Sequence, residues 1–245
     1  IEKPLSHVLR SMEREGVLID AEALRTLGDS FREHIARLTG EIYGLAGEQF
    51  NINSPKQLSE LLFVKMDLPA PKKKGKAFST DAEVLENLAQ DFPICAKILE
   101  YRKYKKLEST YIEALIRLRD ENGRVHTSFD QTATATGRIS SLEPNLQNIP
   151  VRTELGRGIR AAFIARPGYL LVDGDYSQIE LRVLAHISGD PAMISAFNSG
   201  EDIHRRTAAE VAGVSPEEVT PAMRSAAKAV NFGIVYGISD FTLAR

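Results

Sequence analysis

The sequence predicts an α+β fold in which helices come first, a small sheet follows and helices return. Three observations carry the prediction. Up to Arg119 the apolar residues recur at helical spacing, between Gly123 and Asp173 that period gives way to short β-like pieces, and from Gln178 the helical spacing resumes.

Taken in order, Pro4 to Glu15, closed by Gly16, and Ala21 to about Leu45, opened by Asp20, read as the first two helices. The Asn51-Ile52-Asn53-Ser54-Pro55 turn leads into a third near Lys56 to Lys65. Leu68-Pro69-Ala70-Pro71-Lys72-Lys73-Lys74-Gly75-Lys76 has no apolar period and reads as a basic tip between helices. Thr80-Asp81-Ala82-Glu83 fits a capping box that restarts a helix, and a longer helix spans about Pro93 to Arg119. Leu58 to Arg119 is therefore a helical arm with a lysine-rich end. The strand-like pieces are Val125 to Phe129, Ile159 to Ile164 and Tyr169 to Asp173, parted by Gly, Pro and polar turns. Helices then cover Gln178 to Ile187, Asp202 to Val211, Pro216 to Val219 and Pro221 to about Tyr236. Thr220 caps the last of these and Pro221 takes its first position.

The 245 residues, 43% hydrophobic and 26% charged, suffice for one large domain or two small ones. With 31 Lys and Arg against 33 Asp and Glu, any contact with nucleic acid must come from local cationic surfaces. The single cysteine, Cys95, excludes an internal disulfide and a cysteine-based metal site, and reads as a small buried hydrophobe in a reducing cytosol. No run approaches the ~18 to 20 apolar residues of a membrane span, and no signal peptide opens the chain, so a cytoplasmic placement is expected. A first residue that is Ile1, and a final helical pattern that reaches Arg245 without a capping glycine, read as the ends of a fragment.

Three constellations carry chemistry. In Leu170-Leu171-Val172-Asp173-Gly174-Asp175-Tyr176-Ser177-Gln178-Ile179-Glu180-Leu181-Arg182, an apolar strand ends in a carboxylate just before a helix. That layout sets the carboxylate at a sheet's carboxyl edge, where metals and phosphates bind. Asp175 is the candidate ligand; Asp173, two residues earlier and on the same strand face, is a rival. Second, Arg224, Lys228, Phe232 and Tyr236 are spaced by four, and at about 100° per residue they wind through roughly 120° of one helix. Met223, Ala227, Val230 and Ile234 group on a separate face. An apolar face packed on the protein frees a stripe of cations followed by rings, an order that suits a nucleoside triphosphate. Gly233 and Gly237 leave room beside the rings. Third, Thr136-Gly137-Arg138-Ile139-Ser140-Ser141 and Pro144-Asn145-Leu146-Gln147-Asn148 supply donors for the acceptors that every base pair shows in the minor groove.

The segments ATGRISSLEPNLQNIP, VDGDYSQIELRVLAHISGD, DIHRRTAAEVAGV and MRSAAKAVNFGIVYG, in this order, resemble the bacterial DNA polymerase I family, also called family A. NINSPKQLSELLF, the lysine-rich tip and AFSTDAEVLENLA are similar to the thumb of the same enzymes, so the resemblance covers essentially the whole chain. It implies part of a right-hand polymerase fold: N-terminal helices packing on the palm over 1–48, a helical thumb with a basic tip over 49–122, a partial antiparallel palm sheet over 123–200, and the start of helical fingers over 201–245. The implied activity is template-directed 5′-to-3′ DNA polymerisation in replication and repair. Primer-template DNA and deoxynucleoside triphosphates are the implied partners, with no membrane and a monomeric parent.

By the same resemblance, Asp175 is the metal-binding aspartate and Tyr176 touches a metal through its backbone carbonyl, with two divalent ions, Mg2+, in the complete site. Gln178, Ile179 and Glu180 border the nucleotide, and Glu180 crowds the sugar 2′ position and so favours deoxyribonucleotides. His204, Arg224 and Lys228 surround the triphosphate, Lys228 as proton donor to pyrophosphate, and Phe232 and Tyr236 meet the sugar and nascent base pair. Arg138, Asn145 and Gln147 hold primer and template, and Lys72, Lys73 and Lys74 are candidates for phosphate contact.

In-line attack on an α-phosphate builds negative charge that two metals neutralise, and two metals need more than one carboxylate. The family supplies another from a later His-Asp-Glu segment that nothing here matches, so the fragment alone is expected not to polymerise. Its palm sheet is expected to keep an unpaired edge and an exposed apolar face. A single-subunit RNA polymerase, against which Glu180 argues, and a non-catalytic DNA-binding module are the rival readings.

Overall fold

Side-chain caps start most helices of the computed structural model, which describes residues 1–70, 78–151, 153–235 and 237. Helix α1 (Glu2–Glu15) ends at Gly16, whose φ of 61° suits glycine. Helix α2 (Ala21–Ala46) opens on Asp20, whose carboxylate accepts from the Ala23 N–H at 2.9 Å, and closes on left-handed Gly47. Helix α3 (Pro55–Glu60) starts from Ser54 and runs into a π-helical turn, Leu61–Lys65. Helix α4 (Ala82–Leu88) begins one residue later than the capping box predicts. Asp81 caps it, because the Thr80 hydroxyl and carbonyl are taken by Arg102. The long helix expected from Pro93 to Arg119 is realised as α5 (Pro93–Leu107), a π-helical stretch Glu108–Glu113, and α6 (Ala114–Leu118). The lysine-rich tip lies outside the described residues.

These elements belong to the first of two units, Ile1–Leu171; the second is Val172–Arg245. Two apolar clusters hold the first. Leu38 and Ile42 of α2 pack with Leu58, Leu62, Leu85 and Ile98, while Leu24 and Phe31 of the same helix pack with Ile112, Leu115, Val125 and Ile159. Cys95 is fully buried among the former, and burial pushes its thiol up to about 11, as an inert core residue requires.

Sheet is scarce and antiparallel. Strand β1 (Val17–Leu18) pairs with β2 (Arg124–Val125), and β3 (Ser128–Asp130) pairs with β4 (Ser140–Leu142) in the register Phe129↔Ser141. Two expected strands are absent. The first half of Ile159 to Ile164 lies in helix α7 (Glu154–Ala161), which Thr153 caps by accepting from the Gly156 N–H at 3.1 Å, and its Ile159 fills the core. Only an isolated bridge, Ile19↔Phe163, remains of the strand. Tyr169 to Asp173 forms no strand either. A strand exists through its ladder partner, none of the described residues supplies one, and Leu170 and Val172 stand 87% and 91% exposed.

In the second unit, α8 (Ile179–Ser188) precedes α9 (Pro191–Asn198), a helix capped by Asp190 that the sequence reading leaves out. Helix α10 (Ile203–Ala212) is capped by Asp202, a 3₁₀ turn covers Pro216–Glu218, and α11 (Pro221–Val235) starts with the Thr220 hydroxyl accepting from the Met223 N–H at 3.2 Å. Its core is built on small residues, Ala208 and Ala209 of α10 against Ala227 of α11 and Val219, which lets the two helices approach closely. No helix among the described residues is long and apolar enough to cross a membrane.

Candidate nucleotide-binding site

Close packing of α10 against α11 gathers four of the candidate residues. Asp202 stands at the N-terminus of α10, where its Oδ1 accepts from the backbone N–H groups of His204 and Arg205 at 3.0 and 3.2 Å. Its Oδ2 accepts from Nε of Arg224, on α11, at 2.7 Å. Burial alone would raise the Asp202 carboxyl, but the bond from Arg224 and the two backbone donors outweigh it and hold the group below the usual aspartate range.

His204, two residues further on, is 1% exposed. Its Nδ1 lies 3.1 Å from Nδ2 of Asn231, which also donates to Thr207 Oγ1 at 3.1 Å. An amide nitrogen only donates, so Nδ1 accepts and the ring proton sits on Nε2. That Nε2–H is buried without a hydrogen-bond partner among the described residues. Burial, and then the charges of Arg224 and Lys228, push the His204 pKa down against the opposing pull of Asp202, so the ring is neutral.

Phe232 lies beside His204 with ring centroids 5.6 Å apart, and Lys228 Nζ stands 5.9 Å from the Phe232 centroid, at the outer limit of a cation–π contact. Lys228 is exposed while Arg224 and Phe232 are half-buried. Lys228 and Phe232 of the stripe predicted from spacing are thus neighbours on one helix. The opposite face is less complete than expected, since Ala227 is buried and Met223 packs beside it but Ile234 is 59% exposed. Tyr236 lies outside the described residues.

Asp175 and Asp173 are both exposed, and Tyr176 is 79% exposed. Gln178 turns the chain into α8 with a left-handed φ of 54°. Arg182 braces that turn, donating from Nε to the Ser177 carbonyl at 2.8 Å while its guanidinium stands 4.6 Å over the Phe197 ring. Glu180 and Gln178 are half-buried and Ile179 is 46% exposed. No hydrogen bond or ion pair among the described residues joins Asp175 or Tyr176 to the α10–α11 cluster.

A divalent ion of the magnesium class takes about six oxygen ligands. Among the described residues no three His, Cys, Asp or Glu side chains gather as a group able to hold a metal. One exposed carboxylate with a neighbouring carbonyl does not amount to a two-ion site.

In the first unit, the candidate DNA contacts lie on the β3–β4 hairpin and the loop after it. Arg138 is exposed and its carbonyl accepts from Thr134 Oγ1 at 2.6 Å. Asn145 Oδ1 accepts from the Gln147 N–H at 3.0 Å, and Gln147 spends both ends of its amide on the hairpin, donating to Ile139 O and accepting from Ser141 N–H. Buried Thr127 fixes the same loop through Ser141 Oγ and Pro144 O. Asn145 and Asn148 line a cavity of about 790 Å³ with Tyr111, Lys106 and Arg117. The two cations on α5 and α6 escaped the sequence reading, because nothing in their spacing ties them to a loop some thirty residues on. A second cavity of about 740 Å³ is walled mainly by apolar residues such as Met12, Val17 and Phe163, with Glu15 and Arg160 also in its lining. Asp202 and Asn231 also went unrecognised as partners of site residues; the helix-cap position of Asp202 was legible, its bond across to α11 was not.

Comparison with known proteins identifies the family. The family model DNA polymerase family A matches residues 21–245. DNA polymerase I of Caldicellulosiruptor bescii is 55% identical over the whole chain, as is the thermostable DNA polymerase I of Thermus aquaticus, and the chain spans 29% and 30% of their lengths. Among solved structures, the POL domain of Pol1 from M. smegmatis, in complex with DNA primer-template and dNTP, aligns with a TM-score of 0.88 and 41% identity. That alignment covers all of this chain and 43% of the other.

Proposed function

Since the chain belongs to DNA polymerase family A, we propose that it forms part of the catalytic domain of a template-directed DNA polymerase, adding deoxynucleotides 5′ to 3′ to a primer. The observation that carries the reading is the α10–α11 surface. A guanidinium, an ammonium and a buried imidazole N–H converge there beside an aromatic ring, a donor set suited to a triphosphate and the sugar behind it.

In this reading the four domain assignments stand as 1–48, 49–122, 123–200 and 201–245. Arg224 neutralises and orients the triphosphate, neutral His204 donates its ring N–H to it, and Lys228 adds a second positive charge and passes a proton to the departing pyrophosphate oxygen. Phe232, with Tyr236 beyond it, offers a face to sugar and base. Gln178, Ile179 and Glu180 border the nucleotide, and the Glu180 side chain excludes a 2′-hydroxyl. Arg138 and Asn145 meet the minor groove of primer and template, Gln147 holds their hairpin in shape, and Lys72, Lys73 and Lys74 contact phosphates. Mg2+ is the expected ion, and Asp175 with the Tyr176 carbonyl is this chain's contribution to its ligands. Among the described residues no further carboxylate gathers with them, and the remaining ligands are expected from outside the chain.

Two measurements test the reading. The 245-residue chain alone extends no primer whereas a complete polymerase domain carrying it does; extension by the chain alone overturns the incomplete site. In that domain Glu180→Ala raises ribonucleotide incorporation, read as alkali-sensitive product, by about 10- to 200-fold, the span of a single steric contact. An unchanged ratio overturns the role given to Glu180.

A further inference from the structure

We infer that Asp202 is a positioning residue for the triphosphate, acting through Arg224. The inference rests on the reading of Arg224 as a triphosphate ligand and adds a partner that sequence spacing does not reveal.

A guanidinium presents five N–H donors in a rigid fork, and its use to a phosphate depends on which edge stays open. Here the carboxylate engages Nε at 2.7 Å, and no hydrogen bond among the described residues engages Nη1 or Nη2. Asp202 is itself fixed, because its other oxygen accepts from two backbone N–H groups at the start of α10. One side chain therefore sets both the start of the helix that carries His204 and the plane of the guanidinium on α11. The Nη donors are thus not taken up by a hydrogen bond among the described residues, and the Arg224 side chain is 40% exposed. Without this anchor a long arginine must give up rotamer freedom when an anion arrives, a cost that falls on binding and not on the chemical step. Retaining a negative charge beside a phosphate site is unfavourable in itself, so its presence points to orientation as its contribution.

The plain alternative is that Asp202 only caps α10. Ser and Asn also cap helices well, but Ser is too short to reach Arg224 and Asn carries no charge. In a complete polymerase domain, Asp202→Ser and Asp202→Asn should therefore keep the melting temperature within about 2 °C, the effect of swapping one good cap for another. They should raise KM for the matched deoxynucleoside triphosphate roughly tenfold, the loss expected for one charge-assisted hydrogen bond, with kcat changed less than about threefold. Asp202→Glu, which keeps the charge, should recover part of the loss. In an Arg224→Ala background the Asp202 substitutions should add nothing to KM. If Arg224→Ala raises KM while the Asp202 variants leave it unchanged or lower it, the positioning role is wrong and the site reading survives. If Arg224→Ala itself leaves KM unchanged, the triphosphate reading of Arg224 fails first.

Discussion

Gly156 and Gly158, two residues apart in helix α7, lie on nearly opposite faces of it, one buried and one exposed, and alanine at each should move stability in opposite directions. A Cβ on Gly156 would fall 2.2 Å from the Pro150 carbonyl oxygen, 2.6 Å from the Pro150 Cβ and 2.8 Å from its carbonyl carbon. Ordinary contact begins at 3.4 Å, so backbone and ring atoms must retreat by about 1 Å, and none of them is the end of a flexible side chain. Overpacking of that kind costs roughly 1–3 kcal/mol, and a backbone clash belongs at the upper end. Exchange of glycine for alanine inside a helix returns up to about 1 kcal/mol. The net loss is about 2 kcal/mol, which for a domain of this size lowers the melting temperature by roughly 4–8 °C. At Gly158, which is exposed, the new methyl would meet only the tip of Leu27, at 3.4 and 3.6 Å, so the propensity gain survives and melting rises by about 1–4 °C. Thermal unfolding of Gly156→Ala and Gly158→Ala, followed by circular dichroism, separates the two. A Gly156→Ala chain that melts at or above the unsubstituted one refutes the packing argument. Because Pro150 ends the loop that carries Asn145 and Gln147, the first substitution should also weaken primer-template affinity in a complete domain, and the second should not.

Cys95, fully buried with a thiol pushed up to about 11, should resist a thiol reagent at pH 8 until the chain is unfolded; stoichiometric labelling of the folded chain would contradict its place in the core. Stability should decline as pH falls below about 6.5. His204 is held neutral by burial and by Arg224 and Lys228, so its native pKa lies below its unfolded one and the unfolded chain takes up the proton first. Asp202, shifted down, adds its own loss only in the acid range below about 4. Urea midpoints at pH 7.5, 6.5 and 5.5 should fall in the unsubstituted chain and flatten in His204→Gln, and equal slopes would dismiss the assignment. Asp175→Asn, at an exposed position, should leave melting unchanged while lowering kcat of a complete domain by roughly 10²-fold or more; a substantial loss of melting temperature would make Asp175 structural.

What the sequence determined by itself was local or periodic. Caps such as Asp20, the proline starts of α5 and α11, and the four-residue spacing of Arg224, Lys228 and Phe232 depend on neighbours within a turn or two, and they were legible for that reason. The family motifs were legible because long ordered segments identify a lineage without any geometry. Tertiary structure decided the rest. Whether Tyr169 to Asp173 is a strand depends on a partner and not on its own apolar run, and Ile159 went into a helix because Thr153 could cap one and a core cavity took its side chain. The bond from Arg224 to Asp202 and the burial of His204 arise only when α10 and α11 meet, 22 residues apart in sequence and joined by small alanine contacts. Hydrogen bonds and desolvation act over a few ångströms of space, and one-dimensional spacing carries no record of which distant residues come that close.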